Sequence, residues 1–195
     1  MTLALAGLLA GFLHVMSGPD HLAAMAPYAV EGKRRAWRTG VRWGLGHTAG
    51  VLLIGLLMIA LRGFLPVDAL SAYSERVIGV VLLGVGAWAF VRARSPRPHQ
   101  HVNTGASFGV GVLHGFAGSS HLFGVLPALA LPTNQDAVAY LCGFGIAAVA
   151  GMSAFAALIG VISLAAARRG INGSRGMLYV CSASAIVVGS VWLVV

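Results

Sequence analysis

Charge is what this sequence is short of. Asp, Glu, Lys and Arg make up 9% of its 195 residues and hydrophobic residues 58%, whereas roughly a quarter of a soluble domain is charged. That imbalance excludes a water-soluble globular domain and places the chain in a bilayer. Acid is scarcest, with 5 Asp and Glu against 13 Lys and Arg. The resulting charge of +8 does not imply nucleic acid, because the basic residues fall in short clusters between apolar runs. There are only two cysteines, Cys142 and Cys181, far apart in apolar segments. They exclude a disulfide framework and a Cys-x-x-Cys pair, and fit as small packing residues. No Walker-type Gly-x4-Gly-Lys-Ser/Thr occurs, which excludes ATP binding by that route. No nucleophile–base pair marks an enzyme, and no cofactor is expected. The apolar N-terminal run 3–13 has no basic residue before it. It lacks the positive start of a signal peptide and continues into the first span, so it is expected to be retained.

Six segments are apolar enough to cross a membrane, at about 20 residues per span. They are 3–30, 40–61, 76–91, 105–131, 137–167 and 177–195. Lys33, Arg34, Arg35, Arg38 and Arg42 lie in the first connection, Arg92, Arg94 and Arg97 in the third, and Arg168, Arg169 and Arg175 in the fifth. The other side carries Arg62 and Arg76. The positive-inside rule places the basic connections in the cytoplasm and both termini outside an inner (cytoplasmic) membrane. Trp37, Trp43 and Trp88 then fall near the cytoplasmic boundary as an aromatic belt. Glu31, Asp68, Glu75 and Asp136 fit loops. The 27 glycines include the pairs Gly7/Gly11, Gly46/Gly50 and Gly111/Gly115, a spacing that lets helix backbones approach closely in lipid.

An internal repeat organises the chain. GFLHVMSGPDHLAAMAPYA at 11–29 and GVLHGFAGSSHLFGVLPAL at 111–129 share two glycines, two histidines and a proline at one spacing. Gly11, His14, Gly18, His21 and Pro27 match Gly111, His114, Gly118, His121 and Pro127. The pairs Gly44/Gly46 and Gly143/Gly145 are weaker echoes. The expected fold is all-α and polytopic: about six helices in one membrane domain, made of two three-helix repeats, 1–98 and 99–195. An odd number of spans per repeat inverts the second half. Inverted repeats are a transporter architecture with the site near the midplane.

Asp20 is the one acid inside an expected span, about 15 Å from the cytoplasmic end at 1.5 Å per residue. An ionisable group at that depth is costly and points to function by default. His14, His21, His114 and His121 also lie mid-span, and imidazole with carboxylate suits nickel, cobalt, zinc or copper rather than magnesium or calcium. In a straight helix His14 and His21 are about 10.5 Å apart along the axis, too far to share an ion bound at about 2.1 Å. Gly18-Pro19 answers this. Proline clashes with the carbonyl four residues back, glycine takes conformations closed to other residues, and span one is expected to break there. Asp20 would then open a second half-helix, where the dipole favours an anion. The second repeat has Ser119-Ser120 in place of Pro19-Asp20, so the first repeat is expected to dominate binding. His114 and His121 fit as ligands, with repeat remnants that hydrogen-bond across the interface as the alternative. His47 in span two, where Ile146 takes its place in the second half, fits a ligand, a proton relay or an interface histidine. His99 and His101 form a lone His-x-His in a basic loop.

His14-x5-Asp20-His21 followed by Gly44-Leu-Gly-His47-Thr resembles the nickel/cobalt transporter (NiCoT) superfamily, in particular its small six-span UreH-like members. The resemblance covers both repeats. It implies His14, Asp20, His21 and His47 as metal-site residues and Ni2+ or Co2+ as the transported substrate. The larger family has about eight spans and places four residues between the first histidine and the Asp-His pair, where this chain has five. In the mechanism this suggests, an ion binds Asp20, His14 and His21 near the midplane, His47 sits toward the cytoplasmic exit, and the halves rock. Partners read in this way are a divalent metal ion, the lipid bilayer, metalloenzyme maturation proteins and, in a homo-oligomer, further copies of the chain. The competing readings are a sulfite-like small-anion exporter, a thiol-electron carrier and a membrane subunit that delivers metal without transporting it. The first wants a positive centre and the second a reactive cysteine pair.

Overall fold

Apolar runs in lipid must satisfy their own backbone, and helices do so within one segment. The computed structural model describes residues 2–60, 67–95, 104–117, 124, 126–128, 130–168 and 170–194, and it is all helical. The described helices are α1 (Thr2–Ser17), α2 (Pro19–Gly32), α3 (Ala36–Ala60), α4 (Val67–Arg94), α5 (Thr104–Ala117), α6 (Asn134–Arg168) and α7 (Ile171–Val194). A tight 3-10 turn, Lys33–Arg35, joins α2 to α3. Tyr73–Arg94, Asn134–Arg168 and Gly173–Val194 are each long and apolar enough to cross a membrane alone. The pair Thr2–Ser17 and Pro19–Ile54, bent by 73°, is a fourth crossing if it is one broken span and otherwise a re-entrant loop. The chain is thus a multi-pass membrane protein. The expected fourth span is described only in part, because α5 ends at Ala117. The helix of the expected third span begins earlier than 76, at Val67.

The outward faces match this solvent. Leu9, Val91, Ile146, Val161, Val180 and Val187 are each more than half exposed, an apolar exterior that water would not tolerate and lipid does. The buried element is α2, whose residues from Ala23 to Val30 are all buried. Its small side chains let α3, α6 and α7 close around it. Ser163 Oγ on α6 donates to the Val30 carbonyl at 3.1 Å, satisfying one of the last-turn acceptors that α2 leaves open.

Glycines set the helix pairing. A Cβ on Gly7 or Gly11 of α1 would strike the carbonyls of Tyr140 or Phe144 on α6. One on Gly111 or Gly115 of α5 would strike those of Trp43 or His47 on α3. α1 therefore runs parallel along α6, and α5 parallel along α3. α3 and α6 cross antiparallel, Gly44 against Val149 and Gly145 against Thr48. α4 and α7 are antiparallel as well: a Cβ on Gly79 would lie 2.9 Å from the Gly189 carbonyl, and one on Gly189 equally near that of Gly79. Each helix of the first half thus runs opposite to its counterpart in the second, and the first helix of each half packs on the second helix of the other.

This packing corrects the internal alignment. Trp43 corresponds to Phe144, and Thr48 to Val149, so the counterpart of His47 is the fully buried Ala148. Ile146 faces outward instead. Four acids expected in loops lie in described helices. Glu31 closes α2 and pairs with Arg92 Nε on α4 at 3.0 Å. Glu75 lies within α4. Asp136 opens α6, where its backbone N–H donates to Thr133 Oγ1 at 3.2 Å and its carboxylate accepts from the same hydroxyl at 2.8 Å. A polar side chain before an acid in the first turn starts a helix by this exchange. Asp68 lies in the first turn of α4.

Candidate metal centre

The first span breaks where the sequence places a glycine before a proline. Pro19 occupies the first turn of α2, where its missing N–H costs nothing. The reason for Gly18 differs from the expected one. Its φ of −82° and ψ of 101° are extended values open to any residue. A Cβ here would collide with His21 Nδ1 and lie 3.0 Å from Asp20 Oδ1. The glycine supplies room, not an unusual backbone angle.

The break folds His14, in the last turn of α1, back onto His21 in the first turn of α2. Their Nε2 atoms lie 3.1 Å apart, although a straight helix would hold the residues about 10.5 Å apart along its axis. His21 Nε2 is also 3.1 Å from His47 Nε2 on α3. On the other edge of the same ring, His21 Nδ1 is 3.0 Å from Asp20 Oδ1. The remaining Asp20 oxygen, Oδ2, is 3.0 Å from His114 Nε2 on α5. Asp20, His21, His47 and His114 are buried and His14 is partly buried. Asp20 also sits where the N-terminal dipole of α2 favours a negative charge.

Two overlapping triads could hold a metal ion: His14, His21 and His47, and Asp20, His21 and His114. In each, one atom per residue lies within 4.8 Å of the others. Ligands bound at about 2.1 Å to one ion are about 3.0 Å apart at the octahedral angle and about 3.4 Å at the tetrahedral. The observed nitrogen–nitrogen spacing of 3.1 Å lies between these.

Four of the expected site residues therefore meet around His21. His47 belongs to the cluster itself and is not a separate station toward the cytoplasm. The second half contributes through His114. His121, His99 and His101 lie outside the described residues. Two aromatics escaped the sequence reading. Trp43, expected in an interfacial belt, is fully buried, stacked on the His47 ring with centroids 5.1 Å apart and 5.5 Å from that of His114. Phe144 stands 5.4 Å from His14 in the matching place. The available signal was spacing: Trp43 precedes His47 by four residues, one helical turn on the same face. Trp37 and Trp88 do remain partly exposed, Trp88 stacked on Tyr28.

Three known proteins are distantly homologous to this chain. The chloroplast protein FOR GROWTH AND FERTILITY 1 of Arabidopsis thaliana is 34% identical over 212 residues, covering 97% of this chain and 58% of the relative. FOR GROWTH AND FERTILITY 2 of the same plant is 35% identical over 181 residues, covering 84% of this chain and 48% of the relative. The urease accessory protein UreH of Bacillus sp. (strain TB-90) is 27% identical over 182 residues, covering 84% of this chain and 78% of the relative. The chain spans about half the length of the two plant proteins. No protein-family model and no solved structure matches it.

Proposed function

We propose that this distant homologue of UreH carries a divalent transition-metal ion, nickel or cobalt, across the membrane in the manner of the NiCoT superfamily that its motifs resemble. The observation that carries the reading is a pair of overlapping ligand triads that share the buried His21 in a multi-pass membrane protein, His14 with His21 and His47, and Asp20 with His21 and His114. Borderline late first-row divalent ions favour such a donor set. The candidate ligands are His14, Asp20, His21, His47 and His114, with His121 kept from the repeat. The two halves, 1–98 and 99–195, would rock about this point so that it opens to each side in turn. The reading uses an inner (cytoplasmic) membrane with the basic connections inside and both termini outside. The ion is the cargo, and no resident cofactor or catalytic step is assigned.

The test is radiolabelled nickel flux, then cobalt flux, into proteoliposomes. Wild-type flux that is lost in folded His21→Ala supports the reading. Wild-type flux no greater than that of empty liposomes for both metals overturns it. The second reading, a membrane subunit that hands metal to metalloenzyme maturation proteins, is favoured by the accessory-protein name of one relative. It predicts metal binding without flux. A small-anion exporter would need a positive centre, and this cluster is built round a carboxylate.

A further inference from the structure

Hydrogen-bond arithmetic divides the five polar side chains into two sets. An ionised carboxylate only accepts. Both Asp20 oxygens are engaged at 3.0 Å, Oδ1 by His21 Nδ1 and Oδ2 by His114 Nε2. Each of those nitrogens is therefore the one that carries hydrogen. A neutral imidazole has a single N–H, so His21 Nε2 is left as a bare lone pair. That lone pair faces His14 Nε2 and His47 Nε2, both at 3.1 Å. One lone pair can align with one N–H donor. A cation lying between the three nitrogens uses all of them. His114 is in the opposite condition, because the nitrogen it turns toward the cluster is committed to Asp20 as a donor.

We infer that the ion is bound by Nε2 of His14, His21 and His47, and that Asp20 is a positioning residue that fixes the ring and tautomer of His21 while His114 holds its other oxygen. This inference rests on the metal-transport reading and narrows it. The cargo meets three neutral nitrogen donors and no charged ligand, a set that selects late transition metals over magnesium and calcium. A carboxylate behind a metal-binding histidine is a recurrent arrangement that orients the ring and strengthens it as a ligand. Here that carboxylate also joins the halves, since His21 belongs to the first and His114 to the second. The second half then acts on the ion through a hydrogen bond and not through coordination. The rival triad, Asp20 with His21 and His114, would require both bridging hydrogens to leave and would bind through His21 Nδ1.

The two assignments differ in the spectrum of bound cobalt. Detergent-solubilised protein is loaded with Co2+, and the visible ligand-field bands and the dissociation constant are recorded. His14→Ala and His47→Ala should shift the bands or abolish them. Asp20→Asn should leave the band positions unchanged while weakening affinity about 10- to 100-fold, as loss of an outer partner does. His114→Gln should likewise leave the bands in place, which keeps the assignment testable if Asp20→Asn does not fold. Bands shifted by Asp20→Asn or His114→Gln, with wild type binding cobalt normally, overturn this assignment and leave the proposed function standing. A wild type that binds neither cobalt nor nickel overturns both.

Discussion

The α1–α6 seam and the α3–α5 seam are built alike and do different work. In each, paired glycines of a first helix press on carbonyls of a second helix from the other half. In each, a histidine packs beside the aromatic whose carbonyl its seam's glycine touches: His14 by Phe144, His114 by Trp43. The seams diverge one turn further on. α3 carries His47, where α6 carries Ala148. One seam therefore delivers one imidazole to the cluster and the other delivers two. Near-equal packing supports unequal chemistry because glycine contacts constrain only the distance between backbones. What projects past the seam is free to differ.

The largest expected effect breaks the element that both seams share. His21→Ala removes the ring that touches His14, His47 and Asp20 at once, and nickel flux should fall to the level of empty liposomes. Retention of more than a tenth of wild-type flux in a folded variant would sink the shared-ring account. Next, the seams can be set against each other. Gly7→Ala and Gly115→Ala each force a methyl onto a carbonyl, at about 1–3 kcal/mol for overpacking. Thermal unfolding should show similar losses. Only Gly115→Ala, which pushes on the His47 backbone, should also weaken cobalt binding in equilibrium dialysis. Equal weakening by both would mean that the seams are not separable.

Smaller effects refine the centre. Gly18→Ala places a methyl against His21 Nδ1 and Asp20, and should lower cobalt affinity about tenfold with an unchanged helical circular dichroism spectrum, since the backbone there is ordinary. Trp43→Leu should cost more affinity than Phe144→Leu. Aromatic packing of this kind contributes about 0.5–1.5 kcal/mol, and Trp43 stacks on a proposed ligand while also flanking His114. Acidification should weaken binding throughout, because protons compete for the same nitrogens as the ion. Affinity titrated from about pH 7.5 downward should fall as the pH drops. A flat profile would remove the imidazoles as ligands.

Much of the fold was legible in the amino-acid order. Long apolar runs with few charges specify membrane helices, and a glycine followed by proline specifies the break at 18–19. Four of the histidines and Asp20 were legible as a candidate site because titratable groups are costly in lipid. The expected break already placed His14 near Asp20 and His21; that His47 and His114 join them was not legible, since α3 and α5 reach the cluster only through helix packing.

The sequence by itself determined the solvent, the elements and the identity of the polar groups, because hydropathy, backbone sterics and the cost of burying charge act locally along the chain. Only the tertiary structure decided that Trp43 is core and not belt, that Ala148 and not Ile146 stands where His47 does, and that Gly18 is there for space. It also decided that Asp20 lies between His21 and His114. Those are questions of which atoms meet in space, at the break in the first span and across helices far apart in sequence, and packing answers them.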